Sequence, residues 1–458
     1  MRRRIVMSGL AMVATTAGLL TGMVPAVSAS SGGVITFAYE DPSTGGNPAM
    51  PALIAAAGAQ FSKEYPGWSV KADDIKATEN AYYIKMDLQS SNPSTAPDVL
   101  YEDTFLVNSD VAAGYLAPID QYVSKWSGWS EFSSAAQAAA KGVDGHVYGV
   151  SMGTDTRGLW YNKSDLQKAG IAVPWHPKTW TAVLKAAEAI KASKADAGVT
   201  PLNVYAGVGA GEGTSMQGFE MLLYGTNNPL YDSATNKWED AGAGWLSTLN
   251  FYKTIYSQGL ALSPQTELAP TIGTTIAGQL LPQNKLAIDL DGSWMSSAYW
   301  GPKGLYPWAN WSKVIAVTGM PTENGQGGGL ISMSGGWLLS VGSHAANKQM
   351  AFNFIAIALD KENSLNFDIN GGQIPVRKDV ATNPAYLNAN AAFGVMSSFV
   401  PFTHFRPAYS SYPKLSNEIQ LVTGQVMTGQ ATPAQAEATY NKYLSGLVGS
   451  KDTESAPM

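Results

Sequence analysis

The chain has 458 residues and no cysteine, with 29 basic and 35 acidic side chains, 45% apolar residues and 10% aromatics. A low-complexity tail has few aromatics and a high net charge, and a disulfide-stapled module needs paired thiols, so both are excluded, along with zinc ribbons and thiol nucleophiles. At ~100 to 200 residues per domain, the length allows roughly two to four lobes, each with its own core, and two is the economical number.

Arg2, Arg3 and Arg4 precede an apolar run from Ile5 to Val24, and Val27-Ser28-Ala29 supplies small residues where a signal peptidase cuts. Residues 1–29 are therefore expected to be an export signal. As a membrane anchor the run is weakened by Gly9, Thr15, Thr16, Gly18, Thr21 and Gly22. General (Sec) and twin-arginine export both stay open, and the destination is the periplasm or the cell exterior. No cysteine stands at the cleavage site to carry a lipid anchor. Cleavage would leave 26 basic against 35 acidic side chains, a net charge of −9, which repels nucleic acid. Only 14% of residues are charged, while Ser, Thr, Asn, Gln, Gly and Tyr abound. That suits a neutral polyol ligand and equally an ordinary polar exterior.

Val34 to Tyr39 reads as a short apolar strand that ends in Glu40-Asp41-Pro42. Leu53, Ile54, Ala57, Phe61 and Tyr65 recur at three- and four-residue steps, the pattern of one helix face, and Pro66-Gly67 ends that helix before Trp68-Ser69-Val70 resumes extended structure. Asp98-Val99-Leu100-Tyr101 is the next strand, ending in Glu102-Asp103-Thr104. Further on, Pro174 and Pro177 bracket a turn, Thr179 is an N-cap, and Trp180, Val183, Leu184, Ala187 and Ile190 mark a helix face. The C-terminal region reads as helical: Leu415, Ile419, Val422 and Val426 share a face that Gly429 ends, and Thr432-Pro433-Ala434-Gln435 is a capping-box start. Strands alternating with helices predict an α/β fold of open sheets with helices on both faces, whose ligands sit outside the carboxyl ends of the strands. No repeat or linker separates independent domains, so lobes joined by several crossings are expected.

Two carboxylates stand out. Asp103 follows a strand, and Asp155 lies in Gly153-Thr154-Asp155-Thr156-Arg157. An ionised carboxylate accepts several hydrogen bonds, which suits a hydroxyl-rich ligand, although a loop cap or an ion pair uses the same residue type. Arg157, Arg377 and Arg406 are conspicuous in a chain poor in arginine, and Arg377 and Arg406, which follow turns, can each fork onto ligand oxygens or onto a carboxylate across the lobes. From Asp291 to Trp311, glycine and proline interrupt Trp294, Tyr299, Trp300, Tyr306, Trp308 and Trp311, which argues for a loop with some rings exposed. A flat ring suits the C–H face of a pyranose, and core packing competes for the same rings. The four histidines are scattered without ligand spacing, so no metal or cofactor is expected. Gly325 to Gly336 lacks the lysine of a phosphate loop and reads as a flexible connection. Next to it, Gly335-Gly336-Trp337 lets backbone approach a ligand or a hinge.

From Val34 to about Val448 the chain resembles the extracellular sugar-binding proteins of ABC importers, the two-lobed maltose-binding type. The resemblance is carried in order by Ala96-Pro97-Asp98-Val99 with Asp103, Gly114 to Asp120, Tyr148-Gly149-Val150, Thr154 to Lys163, Pro177-Lys178-Thr179-Trp180, Asp291-Gly292-Ser293-Trp294, Gly335-Gly336-Trp337, Ile374-Pro375-Val376-Arg377 and Phe405-Arg406-Pro407. It implies a type II periplasmic-binding-protein fold with a hinged cleft between two mixed-sheet lobes, formed by residues 30–153 with 320–374 and by 154–319 with 375–458. It also implies a monomeric carrier that closes over a carbohydrate, delivers it to the transmembrane permease of an ABC importer, and does no chemistry. By the resemblance, Asp103 and Asp155 bind hydroxyls, Trp294 stacks on the sugar, and Glu40, Asp41, Glu79, Asn80, Arg157, Gly336, Trp337, Arg377, Arg406, Tyr409 and Tyr412 are further contact candidates. The leading rival is a secreted glycoside hydrolase, because paired carboxylates in an aromatic cleft also describe those enzymes, and a second is an adhesion or sensor module that presents the same cleft to a receptor.

Overall fold

The computed structural model describes residues 32–456, so the export-signal reading of residues 1–29 lies outside the described residues. In chain order, β1 (Gly33–Glu40), β2 (Trp68–Ile75), β3 (Val99–Asp103) and β4 (Gly149–Ser151) come first. A second group follows: β5 (Arg157–Asn162), β6 (Thr200–Asn203), β7 (Leu286–Gly292) and β8 (Ile315–Thr318). The last are β9 (Met320–Pro321), β10 (Leu330–Ser334), β11 (Trp337–Val341) and β12 (Thr403–Phe405).

The first lobe is built on a sheet of order β2-β1-β3-β11-β4, in which β1 is parallel to β2 and β3 while β11 runs antiparallel to β3 and β4. All five residues of β3 are buried, as expected of a central strand with both faces covered. The helix Met50–Glu64 turns Leu53, Ile54, Ala57 and Phe61 inward, and Phe354 meets both Phe61 and Phe37 ring to edge at 5.8 Å. Each such fully buried side chain contributes roughly 1.5–3 kcal/mol.

The second lobe uses the order β8-β5-β7-β6, with β5 antiparallel to both neighbours and β6 parallel to β7. One core lies under the helices Trp180–Ala192, Ala243–Ser257, Tyr412–Met427 and Pro433–Val448. The expected caps form: the Thr179 side chain accepts from the Ala182 amide, and Thr432 and Gln435 complete a reciprocal capping box. Another core gathers Trp160, Trp300, Met295 and Ile315. There Trp300 is 1% exposed and packs against Trp160, Trp308 and Trp311 at 5.5–5.7 Å. The aromatic run 291–311 is therefore divided, part core and part cleft.

Two details differ from the sequence expectation. Gly325 to Gly336 is not simply a flexible connection, because β10 lies inside it with Ile331 to Ser334 buried; the surrounding glycines obscured a strand that pairs with β9 and β12. The cores also change hands away from residues 320 and 374. Met320, Ile331 and Met333 pack in the second lobe, whereas Val376 packs in the first and Arg377 bridges to the first-lobe Phe132.

The chain crosses between lobes in segments that bond to one another. Thr154 pairs with Ile374, its hydroxyl donates to the Gly335 carbonyl at 2.9 Å, and the Met152 amide donates to the Trp337 carbonyl at 2.8 Å. Gly336 has φ +150°, and a Cβ there would stand 2.6 Å from the Gly153 carbonyl oxygen. Only glycine lets these crossing strands approach so closely.

Candidate functional site

The ends of β1, β3 and β7 and the starts of β5 and β11 open onto one cleft of about 330 Å³ between the lobes. Six carboxylates line it (Glu40, Glu79, Asp103, Asp155, Glu212 and Asp291) against the two guanidiniums of Arg157 and Arg406.

Asp103 is the last residue of β3, which delivers its side chain to the carboxyl edge of the sheet. Arg406 Nη2 donates to Asp103 Oδ1 at 2.6 Å and Arg406 Nη1 donates to Glu212 Oε2 at 3.1 Å, all three being buried. The guanidinium also lies 4.0 Å from the ring centroid of Phe105. Phe105 itself follows β3 and packs into the second lobe's core, so the lobes touch here through both charge and apolar surface. Burial opposes the charge on Arg406, but Asp103 and Glu212 more than offset it and raise its pKa well above the ordinary value. Burial raises Asp103 against the opposing pull of Arg406 and of its Tyr83 hydrogen bond.

Arg157, at the start of β5, pairs with Asp155 two residues earlier and donates to the Met333 carbonyl at 3.2 Å. Asp155 Oδ1 also accepts from the Gly335 amide at 2.7 Å, which ties it to the neighbouring crossing. The guanidinium of Arg157 stands 4.8 Å from the Trp294 ring centroid, close enough for a cation–π contact that fixes the indole. Behind that indole, a Cβ at Gly372 (φ +69°) would stand 2.7 Å from Trp294 Cα, so glycine is required for the approach. On the opposite lobe Trp337 stacks on Tyr101 with centroids 4.1 Å apart and planes within 8°. Both indoles are partly exposed, and both line the cleft.

The Tyr83 hydroxyl lies 2.6 Å from Glu79 Oε1 and 2.9 Å from Asp103 Oδ2. One phenolic proton cannot serve two carboxylates, so the second bond requires a proton on a carboxyl group. Of the two, Glu79 takes up a proton more readily. Burial, with the like charges of Asp103 and Glu212, pushes its pKa up to about 7 despite Tyr83 and Arg406, whereas Asp103 already faces a guanidinium. Burial together with Glu79, Asp103 and Asp41 raises Glu40 well above the carboxylate range, and its Oε1 has no partner among the described residues. Burial pushes Asp291 up to about 6, against bonds from the Gly292 amide and the Tyr205 hydroxyl. The cleft therefore sets Asp103, which faces a guanidinium, beside carboxyl groups on both lobes that burial makes easier to protonate.

Ten of the fourteen sequence-predicted contacts come together here: Glu40, Glu79, Asn80, Asp103, Asp155, Arg157, Trp294, Gly336, Trp337 and Arg406. Four do not line the cleft. The Asp41 side chain caps the turn Pro42–Thr44. Arg377 forks onto Asp379 at 2.9 and 3.1 Å and donates to the Leu359 carbonyl, within the first lobe. Tyr409 packs against Tyr231 and Trp238, and buried Tyr412 donates to Glu220 at 2.5 Å. Among residues not singled out as contacts, Glu212 and Tyr101 matter most. Glu212 sits in the glycine-rich turn before Gly213–Glu220, a helix of wide i→i+5 turns of the kind found at binding sites.

The family model for bacterial extracellular solute-binding proteins matches residues 43–364. A putative binding protein of Brucella abortus is 23% identical over 301 residues, which are 64% of this chain and 65% of that relative's length. Among solved structures, the GacH receptor of Streptomyces glaucescens, determined unliganded and with acarbose, is 23% identical and has a TM-score of 0.77, over 93% of this chain and 100% of its own. Maltose-bound MalE3 of T. maritima is 20% identical with a TM-score of 0.73, over 91% and 100%. MalE of Xanthomonas citri is 20% identical with a TM-score of 0.69, over 92% and 98%. At these identities the likeness speaks to the fold, which is that of two-lobed binding proteins. With a match across most of its length and an interlobe cleft built at its strand ends, the chain belongs to the bacterial extracellular solute-binding proteins.

Proposed function

We propose that the protein binds a carbohydrate in the interlobe cleft, closes around it and passes it unaltered to the permease of an ABC importer. The observation that carries this reading is the pairing of carboxylates with two indole faces in one cleft: Asp103 and Trp337 from the first lobe, Asp155 at the crossing, and Trp294 from the second. Carboxylates take hydroxyls that must shed water, and the rings take pyranose faces. The structural neighbours support it, since they were solved with acarbose, maltose and cycloalternan. Ligand cavities run from ~300 to 1,000 Å³, and a volume of about 330 Å³ favours a short saccharide.

The hydrolase reading is weaker because Asp103 and Asp155 are each held by an arginine, while an acid and a nucleophile must meet the glycosidic bond with free oxygens. Among the described residues no helix is long and apolar enough to cross a membrane. Export by residues 1–29, a periplasmic or extracellular site of action and a monomeric state complete the proposal. Calorimetry across mono-, di- and trisaccharides, with product analysis of the same mixtures, tests it. Heat of binding without cleavage supports the carrier, and cleavage or silence across the panel rejects it.

A further inference from the structure

Away from the cleft, the second lobe carries a small three-stranded sheet in which Lys237–Glu239 lies between Tyr231–Asp232 and the C-terminal Thr453–Glu454. Asp232 pairs with Lys237, Glu239 is two residues further on, and Glu454 pairs directly with Glu239. The period of two therefore puts Asp232, Glu239 and Glu454 on one face. One oxygen from each lies within 4.8 Å of the others.

Like charges in direct cross-strand register are destabilising, and here one of them is buried. Glu239 is 4% exposed, and its Oε2, closed off from solvent, has no hydrogen-bond partner among the described residues. Lys237 shares the face, yet among the described residues no lysine or arginine forms an ion pair with any of the three.

We propose that Asp232, Glu239 and Glu454 form a calcium site that fastens the C-terminal strand to the second lobe. The donors are all carboxylate oxygens, with no imidazole or thiolate, which selects a hard cation over zinc or copper. Oxygens bound to one calcium at ~2.3–2.6 Å lie at most about 5 Å apart, which the spacing here allows, and calcium accepts the flexible geometry of three strand-borne carboxylates whereas magnesium demands a near-ideal octahedron. A cation at the centre answers both the unpartnered oxygen and the repulsion.

Titration of chelator-treated full-length protein with calcium chloride tests the site, by calorimetry and by melting temperature. One calcium per chain is expected at a Kd of about 10⁻⁴–10⁻³ M, the range of extracellular modules, with magnesium at least ~10-fold weaker and a melting temperature that rises with calcium. Glu239→Gln is expected to abolish both responses. Asp232→Asn, at the partly exposed edge, is expected to keep the fold and weaken calcium at least ~10-fold, so the test stands even where Glu239→Gln folds poorly. No calcium heat in the wild type up to about 10 mM, magnesium binding as tightly, or Asp232→Asn binding calcium as well as the wild type would overturn the site.

Discussion

Asp103 and Arg406, 303 positions apart in sequence, meet at 2.6 Å where the two lobes face each other. This ion pair places a first-lobe sugar-binding candidate on a second-lobe cation, so the geometry of the binding wall depends on how the lobes stand. Removing the guanidinium leaves Asp103 and Glu212 buried without their partner. Loss of one member of a buried pair costs about 3–5 kcal/mol, so Arg406→Ala is expected to melt well below the wild type in a thermal scan. Arg406→Lys, which keeps the charge but not the fork, is expected to fall between them.

Asp103→Ala leaves Arg406 paired with Glu212, and Trp294 is only partly buried, so both substitutions are expected to cost less stability than Arg406→Ala and to act mainly on ligand. Asp103→Ala and Trp294→Ala should each weaken saccharide binding at least ~10-fold, a loss of about 1.4 kcal/mol or more, while circular dichroism stays native. Unchanged affinity in both variants would remove the site from this cleft.

Gly336 is expected to be intolerant of a side chain. Its φ of +150° and the 2.6 Å approach of the Gly153 carbonyl to a notional Cβ leave an alanine strained in backbone and contact alike. At ~1–3 kcal/mol for a residue held in a disfavoured backbone region, Gly336→Ala should lower the melting temperature and weaken ligand binding together. A variant equal to the wild type in both would show that the crossing is looser than this packing implies.

Stability is expected to fall as pH rises from about 5 to 8. Burial pushes Glu220 and Glu267 up to about 8 and Glu79 up to about 7. Between their unfolded value, ~4.5, and these folded values the native chain binds more protons than the unfolded chain, so unfolding becomes easier with pH at up to about 1.4 kcal/mol per unit for each group. Melting temperatures across that window check the slope, and Glu267→Gln is expected to flatten it and to stabilise most at pH 8.

Much of this was legible in sequence for definite physical reasons. The helix Met50–Glu64 shows its buried face in the three- and four-residue recurrence of Leu53, Ile54, Ala57 and Phe61, and the caps at Thr179 and Thr432 follow from hydroxyls placed before apolar runs. Asp103 is legible because it ends a strand, and strand ends meet the cleft. Arg377 is not, because an arginine after a turn looks alike whether its carboxylate is two residues away, as Asp379 is, or across the cleft, as Asp103 is for Arg406. Glu212 was hidden for the opposite reason: its role arises from Arg406, Ser416 and Gln420, nearly two hundred positions downstream or more. The strand β10 was masked by the glycines around it.

Small-angle scattering of the protein with and without a saccharide that calorimetry shows to bind tests the central claim most directly. Closure of two lobes on a sugar held by both predicts a smaller radius of gyration at saturation, and Asp103→Ala should need more sugar to reach it. Identical profiles for the free and saturated protein would contradict the account.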